Sequence, residues 1–260
     1  MSDVLSPDPW ARFRAATHAR IGLGRVGDGL PTQALLDFQL AHAKARDAVH
    51  GAVDFAALSA GFPDRPVVTV HSAAADRATY LRRPDLGRRL DEAGRASLHP
   101  GPYDVAFVIA DGLSAAAVGG HAVATVRACL NRLSGWSVAP IVLAAQARVA
   151  LGDEIGAALG ARMVAVLIGE RPGLSVADSL GIYLTWEPRP GRRDSERNCI
   201  SNIHADGLGV ERAADRLAGL MAEARRLRLT GIHLKEDAVR LDAPANQGNA
   251  LVDHQRGQEA

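Results

Sequence analysis

From residue 67 onward the apolar positions fall in short, nearly unbroken runs. They are VVTVHS (67–72), DVAFVIADG (104–112), VAPIVLAAQ (138–146), MVAVLIGE (163–170) and GIYLT (181–185). Runs of this length without polar alternation predict strands covered on both faces. Stretches of helical period, AAAVGGHAVATVRACLNRL (115–133) and VALGDEIGAALGA (149–161), separate the second strand from the third and the third from the fourth. That alternation predicts βαβ units, hence an α/β fold: a Rossmann-like, open, mostly parallel sheet with helices on both faces.

Before the first strand the period is helical. Leu35, Phe38, His42, Ala45 and Val49 recur at 3,4,3,4 spacing between Thr32, a candidate cap after Pro31, and Gly51, a candidate stop. The stripe is expected to pack on the rest of the chain, with a partner surface as the alternative. A last amphipathic helix at about 209–228 sets Ala213, Leu217, Leu220, Ala224 and Leu227 against Glu211, Arg212, Asp215, Glu223 and Arg226. The expected organisation is therefore an N-terminal helical region (1–62), a Rossmann-like domain (63–235) and a polar tail (236–260), with no internal repeat.

Composition narrows the class of function. Of 260 residues, 47% are apolar but only 4% aromatic, so the core must rest on Ala, Val, Leu and Ile. Thirty Lys and Arg balance 29 Asp and Glu, which argues against nucleic acid as a partner. Cys129 and Cys199 form neither a disulfide framework nor a zinc spacing, so a reducing cytoplasm is expected. The N-terminus lacks the apolar core of a secretory signal, and no run reaches the roughly 20 residues of a membrane span.

In an open parallel sheet, ligands bind outside the carboxyl ends of the strands. Three such ends are unusual here: ADGLSA after the second strand, QARVALGDEIG after the third, and GERPG after the fourth. Their glycines let backbone approach a ligand, and the helix starts that follow favour anions. Asp111, Arg148, Asp153, Glu170 and Arg171 would then surround one crevice. The plainer alternative has Asp111 and Asp153 capping helices and Glu170–Arg171 as a surface ion pair.

Other motifs carry less. GLGRVG (22–27) satisfies G-x-G-x-x-G, with Asp47 twenty residues on, but a helical, Arg-rich segment precedes it and Asp47 falls inside a helix, so a nicotinamide site is not expected. His18, His42, His71, His99 and His121 are scattered without metal-ligand spacing, and no metal site is expected. No G-x-S-x-G marks a serine nucleophile. Cys199, near Arg197, reads better as a small buried residue than as a reactive thiol. Arg189, Arg192, Arg193 and Arg197 crowd the densest polar stretch, EPRPGRRDSERNCISN (187–202), as phosphate ligands or as solvated loop.

ARIGLGRVGDGLPTQALLDFQLAHAKARDAV, YLRRPDLGRRL, VIADGLSAAAV, RVALGDEIG, LIGERPGLSVADSLGIYLT and RNCISNI, in that order, resemble the small subunit of ethanolamine ammonia-lyase over about residues 8–235. The resemblance implies a carbon–nitrogen lyase that converts ethanolamine to acetaldehyde and ammonia with adenosylcobalamin. It also implies a large subunit, a TIM barrel, that carries the substrate and the catalytic residues, and a multi-copy hetero-oligomer of both chains. The small subunit alone would be inactive and would help enclose the cofactor. By motif, the implied cobalamin contacts are Val149, Glu170 and Cys199. Arg171 would position the loop beside Glu170. No D-x-H-x-x-G string offers a histidine to cobalt, which implies base-on binding and no metal ligand in this chain. Relatives that enter bacterial microcompartments often carry an amphipathic N-terminal extension. Here MSDVLSP alone precedes the resemblance, so the expected location is cytoplasmic, with packaging left open. The alternatives are an NAD(P)-dependent oxidoreductase using residues 22–27 and a stand-alone cobalamin carrier.

Overall fold

The computed structural model describes residues 8–17 and 19–234; the leading heptapeptide, His18 and residues 235–260, which include the predicted tail, lie outside the described residues. Six strands form one sheet: β1 (Val67–His71), β2 (Val105–Ala110), β3 (Ile141–Ala145), β4 (Met163–Gly169), β5 (Leu180–Trp186) and β6 (Arg197–Ile203), in the order β1-β3-β2-β4-β5-β6. The helices are α1 (Ala11–Arg14), α2 (Thr32–His50), α3 (Phe55–Ala60), α4 (Arg77–Arg82), α5 (Glu92–Ala96), α6 (Ala115–Ala117), α7 (Val123–Leu130), α8 (Leu151–Ala158) and α9 (Val210–Leu227); a π-helical turn, Val118–Ala122, joins α6 to α7.

All five predicted strands form, and the α/β class holds. The sheet, however, is mixed. β1, β3, β2 and β4 run parallel, whereas β5 is antiparallel to β4 and β6 antiparallel to β5. The physical reason is the connection. A parallel return needs a crossover of a dozen or more residues, usually helical. The segment between β4 and β5 is a short loop without a helix, so the chain turns back on itself.

Even and odd positions divide the sheet into two cores. Phe107, Ile109, Leu143, Ala165, Leu167, Ile182 and Leu184 face α3, the α6–α7 unit and α9. Ala106, Val108, Val142, Val164 and Val166 face α8 through Leu151, Ile155 and Leu159. Every β2 and β4 residue is buried, as unbroken apolar runs require. On the α8 face, β5 and β6 present Tyr183, Thr185, Arg197 and Cys199 instead of aliphatic side chains. Tyr183 is half-buried there and Cys199 exposed.

One tie fixes β6 to that face. Asp153 of α8 accepts from Arg197 Nη1 and Nη2 at 2.6 and 2.7 Å, and Arg197 also donates to Thr185 Oγ1 and the Arg192 carbonyl at 2.9 and 3.0 Å. Both charged side chains are 2% exposed.

The N-terminal helix departs from expectation. α2 ends at Gly51 as predicted, but Thr32 is its first residue rather than its cap, and Pro31 stands at the cap without a side-chain bond. Its buried or half-buried residues are Ala34, Ala41, Ala45, Ala48 and Val49. Leu35 and Phe38 from the predicted stripe stay 41% and 38% exposed, beside Leu36 and Leu40 at 53% and 56%. Small alanines let the helix lie close on the domain; its large side chains point elsewhere. The expected inward packing of the whole stripe does not occur.

Candidate functional site

At the carboxyl ends of β2, β3 and β4 a cleft of about 250 Å³ opens. Its lining brings together Tyr80, Leu113, Arg148, Val149, Glu170 and Tyr183 with neighbouring backbone. Two glycines make the geometry possible. Gly112 takes φ +57°, and a Cβ there would sit 2.3 Å from the Gly169 carbonyl oxygen, so only glycine lets the β2 loop close on β4. At Gly181 a Cβ would meet Glu170 Oε1 at 2.7 Å, so the bare backbone leaves room for the carboxylate at the start of β5.

Glu170 leaves β4 half-buried, its N–H bonded to the Ser179 carbonyl at 2.9 Å. Oε2 accepts from the Ser179 hydroxyl at 2.5 Å and from the Asn202 N–H at 3.4 Å. Among the described residues Oε1 accepts no hydrogen bond, which leaves it available to a ligand donor. Val149 is half-buried at the start of α8, against the β2–β4 core.

Cys199 does not line the cleft itself. It faces Tyr183 across the β5–β6 register, and Tyr183 faces Val166 of β4. The thiol is exposed, contrary to the sequence reading of a buried residue. Its pKa is held above the ordinary thiol value by the protein around it and by Glu170, against a hydrogen bond from Tyr183. Tyr183 is raised as well, chiefly by burial and then by Cys199 and Glu170.

The other predicted groups separate. Arg148 lines the cleft, stacked over Tyr80 with Cζ 4.2 Å from the ring centre. Arg171 lines it too and is exposed, and it pairs with no carboxylate among the described residues; the expected Glu170–Arg171 ion pair is absent there. Asp111 is buried behind the cleft. It neither caps a helix nor reaches the opening: it accepts from the N–H groups of Gln146 and Ala147, both at 2.9 Å, and so fixes the loop after β3. Burial raises its pKa against the pull of those two bonds and of Arg77. Asp153 is the partner of Arg197 and belongs to the fold, not to the crevice. Of the four arginines in the polar stretch, Arg192 pairs with Glu196 at 2.6 Å and Arg197 with Asp153.

Sequence reasoning missed Tyr80 and Tyr183. Tyr80 is fully buried, donates to the Ala147 carbonyl at 3.1 Å, and has its phenol pushed up to about 12 by burial. Nothing local marks either tyrosine, because each reaches the site through tertiary contacts.

Gly22, Gly24 and Gly27 take positive φ in a loop that follows no strand, which removes the structural context a dinucleotide site needs. Among the described residues no group of three or more His, Cys, Asp or Glu could hold a metal, and no helix is long and apolar enough to cross a membrane. A larger hollow, about 690 Å³, lies between α2, residues 173–178 and His204–Asp206, and contains none of the predicted site residues.

Comparison with known proteins bears on what the cleft is for. The family model described as "Ethanolamine ammonia-lyase light chain (EutC)" matches residues 7–235. The ethanolamine ammonia-lyase small subunit of Xanthomonas campestris pv. campestris is 56% identical over 252 residues, 92% of this chain and 93% of that protein. The protein of the same name from Pseudomonas syringae pv. tomato is 53% identical over 241 residues, 89% of this chain and 84% of the relative.

Proposed function

The chain belongs to the ethanolamine ammonia-lyase light-chain family, and from that premise we propose that its strand-end cleft is the small subunit's half of an adenosylcobalamin site. The name small subunit implies a large-subunit partner within a lyase complex. We infer that this partner is a barrel that binds ethanolamine and carries the catalytic residues, that several copies of both chains assemble, and that the complex works in the cytoplasm as a carbon–nitrogen lyase.

One observation carries the reading. Val149, nominated by the resemblance, and Glu170, nominated by strand-end spacing and by the resemblance, line the same cleft, and Cys199 lies one strand beyond its Tyr183 wall. The chemistry fits a large, amide-rimmed cofactor. Val149 and Tyr183 offer apolar surface, Glu170 Oε1 offers an acceptor for amide or hydroxyl donors, and exposed Cys199 offers a small side chain that lets a ligand approach β6. Size fits a half-site as well. The cleft is below the roughly 300–1,000 Å³ that encloses a drug-sized ligand. It can hold an edge of a corrinoid; the rest must be covered by another chain.

Exposed apolar side chains support such a partner. Trp10, Phe13, Val26, Leu30, Leu35, Leu36, Phe38 and Leu40 are all exposed within the first forty residues. Apolar side chains gathered in this way favour a protein partner.

When bound, adenosylcobalamin would supply the radical chemistry that turns ethanolamine into acetaldehyde and ammonia. This chain's share is to orient and shield. Val149 and Tyr183 exclude water from one side, and Glu170 fixes the rim. Base-on binding, which the resemblance and the lack of a D-x-H-x-x-G string imply, is part of this reading.

Glu170→Ala tests the site. In the assembled complex the mutation is expected to weaken hydroxocobalamin by about 1–3 kcal/mol, roughly 5-fold to 150-fold, as loss of a buried charged hydrogen bond does. An unchanged dissociation constant by absorbance titration would take Glu170 out of the site.

A further inference from the structure

We propose that Arg148 is an anion-binding residue that holds a phosphodiester at the rim of the cleft. This rests on the cofactor reading above and adds to it the subsite for the cofactor's one phosphate.

The argument begins with an imbalance of charge. Arg77 and Arg148 both stack on Tyr80, with Cζ 4.9 and 4.2 Å from the ring centre. One carboxylate stands nearby, Asp111, 3.6 Å from Arg77 Nη1 and already holding two backbone N–H groups. Arg148 pairs with no carboxylate among the described residues. Its side chain makes one hydrogen bond there, from Nη2 to the Tyr80 carbonyl at 3.4 Å. Its Nε is buried without a partner, and so is Arg77 Nη2.

Protein interiors rarely leave such donors unmatched, because a buried, unsatisfied charged group is costly. Tyr80 cannot act as the counter-ion, since its phenol stays protonated to about 12. Of the charged residues that line the cleft, two are arginines, Arg148 and Arg171, and one is Glu170. Oε2 of that glutamate is turned toward Ser179 and Asn202. An anion from outside would therefore match the available charge.

The guanidinium lies against the Tyr80 ring, and the backbone that carries it is fixed before any ligand arrives. The Arg148 N–H donates to the Gly87 carbonyl at 2.8 Å, and the Tyr80 hydroxyl ties the adjacent Ala147 carbonyl at 3.1 Å. A permanently charged guanidinium suits a phosphodiester oxygen better than a lone amide carbonyl. Arg148 precedes Val149, so the anion and the apolar contact are set by one turn of chain.

The test compares two corrinoids in the assembled two-subunit complex. Hydroxocobalamin carries the phosphodiester; cobinamide lacks it, together with the ribose and base. Arg148→Met keeps the aliphatic stem and is expected to weaken hydroxocobalamin about 10-fold to 100-fold, the effect of losing a charge-assisted pair. Cobinamide should stay within about twofold of wild type on the same grounds. Arg148→Lys should lose several-fold on hydroxocobalamin alone, and this variant decides the matter if the methionine protein does not fold. Equal loss for both corrinoids would make Arg148 a packing residue and overturn the proposal. No loss for either would overturn it too, including the case in which free phosphate is the anion. Glu170→Ala separates the two readings. If it weakens both corrinoids while Arg148→Met is silent, the cleft stands and the phosphate subsite falls; if neither variant matters, both fall.

Discussion

Asp153→Ala is expected to destabilise the chain by about 3–5 kcal/mol, the cost of leaving a buried charge without its partner. Arg197 would keep Thr185 and the Arg192 carbonyl, but its nearest remaining carboxylate, Asp194, is 94% exposed and 3.5 Å away. A solvated carboxylate at that distance recovers little. The loss should fall first on β6, because Arg197 is its first residue and Asp153 its tie to α8. Hydrogen exchange should therefore show Ile200 and Ile203 losing protection before β2 or β4. Arg197→Met combined with Asp153→Leu should recover most of the stability, since an apolar pair of similar size removes the buried charge altogether. Urea unfolding decides between outcomes. A shift under about 1 kcal/mol for Asp153→Ala would mean that water reaches the pair and that it is not the tie described.

The second large effect concerns activity. The isolated chain should show no turnover of ethanolamine with adenosylcobalamin, and activity should appear when the large subunit is added. The reason is structural: among the described residues the cleft offers one acceptor carboxylate, two arginines and apolar surface, with no acid–base pair set to act on a substrate. A coupled assay for acetaldehyde measures this, and turnover by the chain alone would contradict it. Titration with NADH should give no binding, because residues 22–27 follow no strand.

Much of this architecture was legible in the sequence, for a physical reason. Strands buried on both faces must be apolar throughout, so β2 to β5 announced themselves as runs, the half-buried edge strand β1 did so through its valines, and α9 as a stripe. β6 did not. Arg197, Asn198, Cys199, Ser201 and Asn202 make it polar: Cys199, Ser201 and Asn202 are exposed, and its first side chain is neutralised by Asp153, 44 positions earlier in the chain. A pairing so distant leaves no local periodicity. The exposure of Cys199 was misjudged for the same reason, since an unseen strand has no faces to assign.

The site was legible in a different way. Spacing nominated five charged residues for one crevice, and the fold keeps three of them, Arg148, Glu170 and Arg171, at the cleft while drawing Asp111 and Asp153 into internal bonds. Periodicity cannot tell a carboxylate that faces a ligand from one that holds a loop, since both follow strands. Val149, Glu170 and Cys199 came from family resemblance, and the structure sets two of them in the cleft and the third past its Tyr183 wall.

The idea that this cleft is one half of a shared site is tested most directly by titrating hydroxocobalamin into the chain alone, the large subunit alone and the assembled pair. The pair should bind at least about 100-fold more tightly than either component, as expected if each holds only part of the contact energy. Binding by either component alone with the affinity of the pair would contradict the account.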